Sequence, residues 1–223
     1  MKTHQGYVPG ITVDITVFTI KDGALHVLLI ERASPPYKKH LALPGGFLFF
    51  HETAEGAARR ILKDKAGVKN IYLEQLYSFD SVDRDPRGRI ISISFFALVA
   101  EDAVEVTEGR TTESPRWHRV SALSKLAFDH ARIVAYAEKR IASKLEYTNA
   151  AYALLPRFFS LGQLHAMYEA ALSKKIDKRN FIKKFLSLKL IRPTKKILSG
   201  LRQRPARLYE FVSRKPTELK KFF

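Results

Sequence analysis

Apolar residues fall at every second position through ITVDITVFTI (residues 11–20), where Ile11, Val13, Ile15 and Val17 alternate with other residues. That period predicts a half-buried strand. Lys21-Asp22-Gly23 then turns the chain into LHVLLIE (25–31), which predicts a second strand folded back on the first. RIISISFFALVA (89–100), dense in β-branched and aromatic residues, predicts a buried strand, and SPRWHRV around Trp117 a short one. Between them the pattern is helical. Thr53 to Lys65 holds the helix formers Ala54, Glu55, Ala57, Ala58, Arg59, Arg60 and Leu62, and Gly67 is placed to stop the helix. The first part of the chain therefore reads as α+β, a mixed sheet packed by helices.

From residue 127 the period lengthens. Ile133, Val134, Ala137, Ile141 and Leu145 predict a long helix leaving the first part, and TNAAYALLPRFF, with Pro156, interrupts it. A domain boundary is expected within residues 146–155, dividing the chain into 1–147 and 148–223. Ser160 and Gln163 form a capping box ahead of Leu164, Met167, Tyr168, Ala171 and Leu172. Asp177 is placed to cap a second helix, from Lys178 to about Lys189, with Phe181, Ile182, Phe185 and Leu186 on one side and Arg179, Asn180, Lys183, Lys184 and Ser187 on the other. Two extended runs follow in residues 191–212 around a basic loop bearing Lys195, Lys196, Arg202 and Arg204. Two short helices and a β wing predict a winged helix-turn-helix.

Charge sharpens this division. The 223 residues carry a net charge of +17, but residues 1–144 hold 21 Lys+Arg against 17 Asp+Glu, whereas residues 145–223 hold 18 against 5. A basic second part points to nucleic acid before a membrane surface or a merely solvated face. Lys178 and Arg179 sit in the first turn of their helix, where the macrodipole disfavours cations and a phosphate would reverse the balance. Arg179 and Asn180 have the donors for guanine and adenine edges, and Lys178, Lys183, Lys184, Lys195, Lys196, Arg202 and Arg204 suit phosphates. Without cysteine there are no disulfides or thiolate metal sites. No apolar run is long enough to cross a bilayer and MKTHQGYVPG has no secretory core, so a soluble cytoplasmic protein is expected.

Pro44-Gly45-Gly46 reads as a loop whose glycines let backbone N–H groups approach an anion. Gly46, five residues, Glu52, seven residues, Arg60, then Leu62, Gly67 and Val68 resemble the Nudix box, and the likeness extends over about residues 9–145. It implies a Nudix-like α/β/α sandwich. Active Nudix hydrolases carry glutamates at the positions of Ile61, Asp64 and Lys65, where the i, i+3, i+4 spacing lets carboxylates hold Mg²⁺ against a diphosphate. Here one is apolar, one shortened and one reversed in charge. Asp64 and Lys65 read as a solvated pair, and Glu31 or Asp85 as the carboxylates that could come from elsewhere. The expectation is no catalytic residue, no metal and no cofactor, but a retained pocket of Arg32, Gly45, Gly46 and Phe47 with Arg84, Asp85 and Arg87 from the segment 81–89, which could equally be a plain polar turn.

LAFDHARIV, LLPRFFSLGQLHAMYEAAL, IDKRNFIKKFLSLKLI and RPARLYEF resemble the Nudix-related transcriptional regulators of the NrtR type. The resemblance implies a homodimeric repressor on palindromic double-stranded operator DNA that lets go, or binds better, when a small effector fills the Nudix-like pocket: ADP-ribose is favoured, a sugar or sugar phosphate the alternative. The helix from Ala131 to Leu145 is the expected moving part. Two other classes stay open, a working Nudix pyrophosphatase with a basic appendage, and a passive nucleic-acid-binding module.

Overall fold

The computed structural model describes residues 8–67, 71–103, 115–200 and 203–219. β1 (Gly10–Lys21) and β2 (Ala24–Glu31) form a tight hairpin in which Lys21 faces Ala24. Asp22 and Gly23 both take positive φ, 48° and 69°, as a two-residue turn matched to strand twist requires. β1 is central. It pairs in parallel with β6 (Ile90–Leu98) and antiparallel with the short β4 (Gly45–Phe47). β6 pairs with the edge strand β5 (Tyr72–Phe79), while β2 pairs with β3 (Leu41–Ala42) and β7 (Pro115–Arg119). The Gly45-Gly46 segment is thus a strand and not the expected loop. Its glycines answer to packing: a Cβ on Gly45 would lie 2.1 Å from Asp14 Oδ1.

The sheet is covered on both faces. α1 (Ala54–Ala66), capped by the Thr53 hydroxyl and ended at Gly67 with φ of 65°, packs Ala57, Ala58, Ile61 and Leu62 against Val13, Ile15, Val17, Leu28 and Phe95. α2 (His130–Tyr147) packs Ile133, Val134, Ala137 and Ile141 against Phe18, Val27, Leu29 and Phe96 on the other face. β1 is therefore buried on both faces and not half-buried as its alternation predicts: the alternating Thr12, Asp14 and Thr16 are buried along with their apolar neighbours, and Ile11 near its start is 38% exposed.

The same hydrophobic cluster continues through Tyr152, Leu154 and Leu155 into α3 (Leu161–Leu172), α4 (Lys178–Ser187) and the paired strands β8 (Ile191–Gly200) and β9 (Gln203–Phe211). The Ser160–Gln163 capping box forms with both bonds, at 3.1 and 2.8 Å. Asp177 caps α4 by accepting from the Asn180 N–H at 2.8 Å, and α4 stops at Ser187, two residues short of the expected end, with Lys189 at a φ of 55°. Tyr168, Phe181, Phe185 and Phe211 knit α3, α4 and β9 together, with ring centroids 5.0–6.4 Å apart. Residues 213–219 return to the start of this unit. Asn149 donates to Lys215 O at 2.9 Å and accepts from Thr217 N at 2.8 Å, and Arg214 donates to the carbonyls of Tyr152 and Leu155. Among the described residues no helix is long and apolar enough to cross a membrane.

Candidate functional site

Asp14 is a charged residue in the middle of a strand buried on both faces, so it needs partners. Ser92 on β6 donates to its Oδ2 at 2.6 Å, Arg84 Nη2 lies 3.4 Å from the same oxygen, and His130 Nε2 lies 3.6 Å from Oδ1. Arg84, almost wholly buried, makes its stronger contact with Asp129 as a two-pronged pair at 2.8 and 3.1 Å. Burial opposes the Arg84 charge, but the Asp129 and Asp14 carboxylates outweigh it and raise its pKa. The Leu43 N–H donates to His130 Nδ1 at 2.9 Å, which requires that nitrogen to be unprotonated. Burial lowers the His130 pKa despite Asp14 and Asp129, in keeping with a neutral ring carrying its proton on Nε2.

Above this floor lies a cavity of about 210 Å³. It is lined by Arg32, Gly45, Gly46, Phe47, Arg84, Asp85 and Arg87, so the expected pocket residues, drawn from three separated segments, are brought to one place. Arg87 grips the buried Asp85 through Nε and Nη2 at 3.0 and 2.7 Å. Burial would raise the Asp85 pKa, but the Arg87 bonds prevail and lower it. Arg32 Nε donates to Pro36 O at 2.8 Å. The guanidiniums of Arg32 and Arg87 lie 4.8 and 5.5 Å from the ring centre of Phe128, and Arg87 also lies 5.3 Å from that of Phe47. Cations and aromatic faces at one cavity suit a phosphorylated ligand bearing a flat ring or sugar. The segment 81–89 is therefore wall rather than plain surface turn, since Arg84 and Asp85 are both buried.

Thr12, Asp14, Ile30, Ser34, Leu43, Lys65, Phe128 and His130 complete the lining and were not among the residues expected there. Asp14 had a readable signal, an acid inside an apolar strand. Phe128 had none: its φ of 53° is unusual for a bulky residue and costs on the order of 1–3 kcal/mol that the surrounding contacts must offset. Tyr37 holds it edge-to-face at 4.8 Å.

The box helix differs from its expected reading at one position. Ile61, 1% exposed, packs beneath Gly46, where a Cβ would meet its Cδ1 at 3.6 Å; burying it contributes roughly 1.5–3 kcal/mol. Asp64 is exposed. Lys65 is half-buried and lines the cavity, so Asp64 and Lys65 are not a solvated pair; one helical turn beyond Ile61, the lysine comes up on the cavity side. Glu52 is engaged by Arg60 at 2.6 and 2.9 Å, and Glu31 is exposed and outside the lining. Among the described residues no three His, Asp or Glu side chains could share a metal ion. The Mg²⁺ of a Nudix catalyst does not fit this donor set.

A larger cavity, about 420 Å³, lies between the β1–β2 turn and α3. Its walls include Leu154, Leu155, Pro156 and Met167 with Asp22, Glu101 and Asp102, and among the described residues they carry no cation, which is the wrong chemistry for a phosphate.

On the second unit Lys178, Arg179, Asn180, Lys183 and Lys184 are all exposed on α4. Lys195 and Lys196 are exposed in a stretch of β8 where the pairing register shifts, and Thr194 Oγ1 accepts from Lys196 N at 3.1 Å. Lys196 Nζ lies 3.7 Å from the Phe158 ring centre. Arg202 lies outside the described residues; Arg204 falls on β9, its side chain undescribed.

A family model described as the NrtR DNA-binding winged helix domain matches residues 151–211, and the NUDIX domain model matches residues 9–137. Over 209 residues the chain is 33% identical to the ADPR responsive transcriptional repressor NtrR of Acinetobacter baylyi, spanning 92% of this chain and 82% of that protein. Over 108 residues it is 39% identical to the ADP-ribose pyrophosphatase of Methanocaldococcus jannaschii, spanning 48% of this chain and 63% of that one. The crystal structure of Shewanella oneidensis NrtR complexed with a 27mer DNA superposes with a TM-score of 0.81 at 30% identity, over 90% of this chain and 93% of that one.

Proposed function

Because the chain belongs to the NrtR family of regulators, in which a Nudix domain is joined to a winged helix, we propose that it is an ADP-ribose-responsive transcriptional repressor of the cytoplasm, acting as a homodimer on operator DNA. We place the division between sensing and reading parts at residues 147 and 148. The observation that carries the reading is the shared wall. Arg84 lines the cavity and, through its two-pronged bond to Asp129, also holds the residue immediately before α2, the helix that leads to the reading unit. A ligand that favours one arrangement of Arg84 and the strained Phe128 would bias the position of α2. It shifts operator affinity only by the difference in its own affinity for the two arrangements.

In the reading unit, Arg179 and Asn180 at the start of α4 would contact base edges in the major groove, and Lys178, Lys183, Lys184, Lys195, Lys196, Arg202 and Arg204 the backbone. In the sensing unit, Arg32, Gly45, Gly46, Phe47, Arg84, Asp85 and Arg87 would receive the effector. We read this unit as a sensor and not a hydrolase. The likeness to an ADP-ribose pyrophosphatase favours the same ligand class, but Ile61 is core and Lys65 is a cation where the catalyst needs carboxylates.

The test is fluorescence anisotropy on DNA from the protein's own upstream region against scrambled DNA, with and without ADP-ribose. Preference for the native DNA that ADP-ribose changes is the expected result. Preference that ADP-ribose leaves unchanged would sink the effector assignment alone; Mg²⁺-dependent release of AMP would restore the hydrolase.

A further inference from the structure

We propose that Glu169 and His165 of α3 are positioning residues for operator recognition, gripping the backbone of Ile176 so that α4 leaves the turn at one fixed angle. The inference rests on the reading of α4 as the recognition helix and adds to it the residues that aim it.

The turn between the two helices is short. α3 is capped at Ser173, whose φ of 49° lies in the left-handed region, and α4 starts from its cap Asp177, so Lys174, Lys175 and Ile176 make the whole connection. Ile176, the last of them, is held at both of its backbone polar groups by side chains of α3. Its N–H donates to Glu169 Oε1 at 3.0 Å, and its carbonyl accepts from His165 Nε2 at 2.8 Å. A carbonyl oxygen can only accept, so the proton of His165 is on Nε2. His165 and Glu169 stand four residues apart, hence on one face of α3, with Nδ1 3.8 Å from Glu169 Oε2.

The grip is sheltered. His165 is buried, its ring edge-on to Phe181 at 5.5 Å, and the Glu169 side chain is only 21% exposed. The Ile176 N–H bond, with Lys175 adding to it, outweighs burial and holds the Glu169 carboxyl below its ordinary range. The acceptor is therefore a carboxylate and its bond to Ile176 is charge-assisted. Lys175 lies 3.8 Å from Glu169 Oε2, but its side chain is almost wholly exposed and contributes little. The aromatic packing of Tyr168, Phe181 and Phe185 seats α4 on α3, but it is non-directional. Hydrogen bonds are directional, and these act on the residue just before the Asp177 cap. Arg179 and Asn180 follow in the next turn, Lys183 and Lys184 one turn further on. The ten residues of α4 span about 15 Å, so a tilt of about 10° moves its far end by about 2.5 Å, and base edges and phosphates are no longer met together.

Two measurements on the full chain test this. Fluorescence anisotropy compares DNA from the protein's own upstream region with scrambled DNA for wild type, Glu169→Gln and Glu169→Ala. The two variants remove the same charge, but only glutamine keeps an oxygen for the Ile176 N–H. Because the chain has no cysteine, spin labels on Ala166→Cys and Ser187→Cys, both exposed positions, report the distance between α3 and α4 by pulsed electron paramagnetic resonance. Wild type and Glu169→Gln should share one narrow distance and a similar operator preference. Glu169→Ala should broaden the distance and weaken operator binding about 10-fold, the order of one lost charge-assisted bond, while binding scrambled DNA as Glu169→Gln does. Alike behaviour of the two variants, on operator or in label distance, overturns the positioning role and leaves the regulator standing. Should Glu169→Ala fail to fold, His165→Gln, which keeps a donor for the Ile176 carbonyl, against His165→Ala decides by the same two readings. Equal binding of wild type to both DNAs, with the labels responding as expected, overturns the regulator reading and the role in recognition with it.

Discussion

The proposed effector cavity and the proposed DNA-reading face are both rich in cations, yet they hold them in opposite ways. In the cavity, Arg84 and Arg87 are clamped to Asp129, Asp14 and Asp85 before any ligand arrives, at distances of 2.7–3.4 Å. On α4 and the wing, Arg179, Lys183 and Lys195 extend from exposed positions. A small ligand must be recognised by geometry, so its donors are fixed in advance and their net charge is kept modest. A DNA backbone offers charge at every step, so an excess of solvated cations suffices there and the binding becomes salt-dependent.

The largest effect should come from breaking a clamp. Arg84→Ala leaves Asp14 and Asp129 with no guanidinium between them, and should cost about 3–5 kcal/mol in urea unfolding. An unchanged midpoint would mean that the cavity charges are no more preorganised than those of α4. Next, Arg179→Ala should lower the preference for operator over random DNA by about 1–3 kcal/mol, with little change on random DNA. Equal losses on both would place Arg179 among the backbone contacts.

The third effect is graded with pH. His130 is buried, which lowers its pKa; Asp14 and Asp129 oppose this, and Arg84 and Arg32 reinforce it. The unfolded chain titrates near 6.5, above the folded value, so the unfolded state takes up the proton first. Its contribution to stability is therefore full above about pH 6.5 and is lost as the pH falls below it. Melting temperatures across that window should fall with acid, and His130→Gln should flatten the trend; a variant as steep as wild type would assign the slope to other groups. The smallest effect separates two adjacent wing residues. Each of Lys195→Ala and Lys196→Ala should reduce the salt slope of DNA binding by about one, but only Lys196→Ala should also cost stability, about 0.5–1 kcal/mol, for its position over Phe158.

The elements with a strong period were legible from the chain. The β1–β2 hairpin, the box helix, the capping box and the wing all stand where alternation, caps and turn residues place them. β5 was not, because in YLEQLYSF the buried Leu76 and Phe79 are three residues apart among exposed and half-buried positions, and its pairing with β6 slips between Gln75 and Tyr77. Gly45-Gly46 was misread as a loop because a three-residue strand is specified by its partner, Asp14 and its neighbours, and not by its own sequence. Of the cavity lining, the residues with an obvious ligand chemistry, such as Arg32, Arg84 and Arg87, were legible as candidates. Asp14, Phe128 and His130 were missed because their roles depend on contacts across 70 or more positions, such as Arg84 with Asp14 or Leu43 with His130. Lys65 was discounted by its neighbour, since an adjacent acid and base on a helix look like a solvated pair until the cavity is seen.

The return of residues 213–219 to the start of the second unit has a mechanical consequence. A unit tethered by one strand of backbone can spin about its single bond, and a displacement upstream is dissipated as swivel. Here the incoming chain at Thr148 and Asn149 is bridged to the returning chain at Lys215, Thr217 and Glu218, and the Leu219 N–H donates to the Tyr147 carbonyl at the end of α2 at 2.7 Å, so the joint is two-ply. A two-ply joint resists torsion while still bending. In the proposed regulator a rotation of α2 would then reach α4 as torque instead of being lost as swivel, and the sensing half could set the orientation of the reading half.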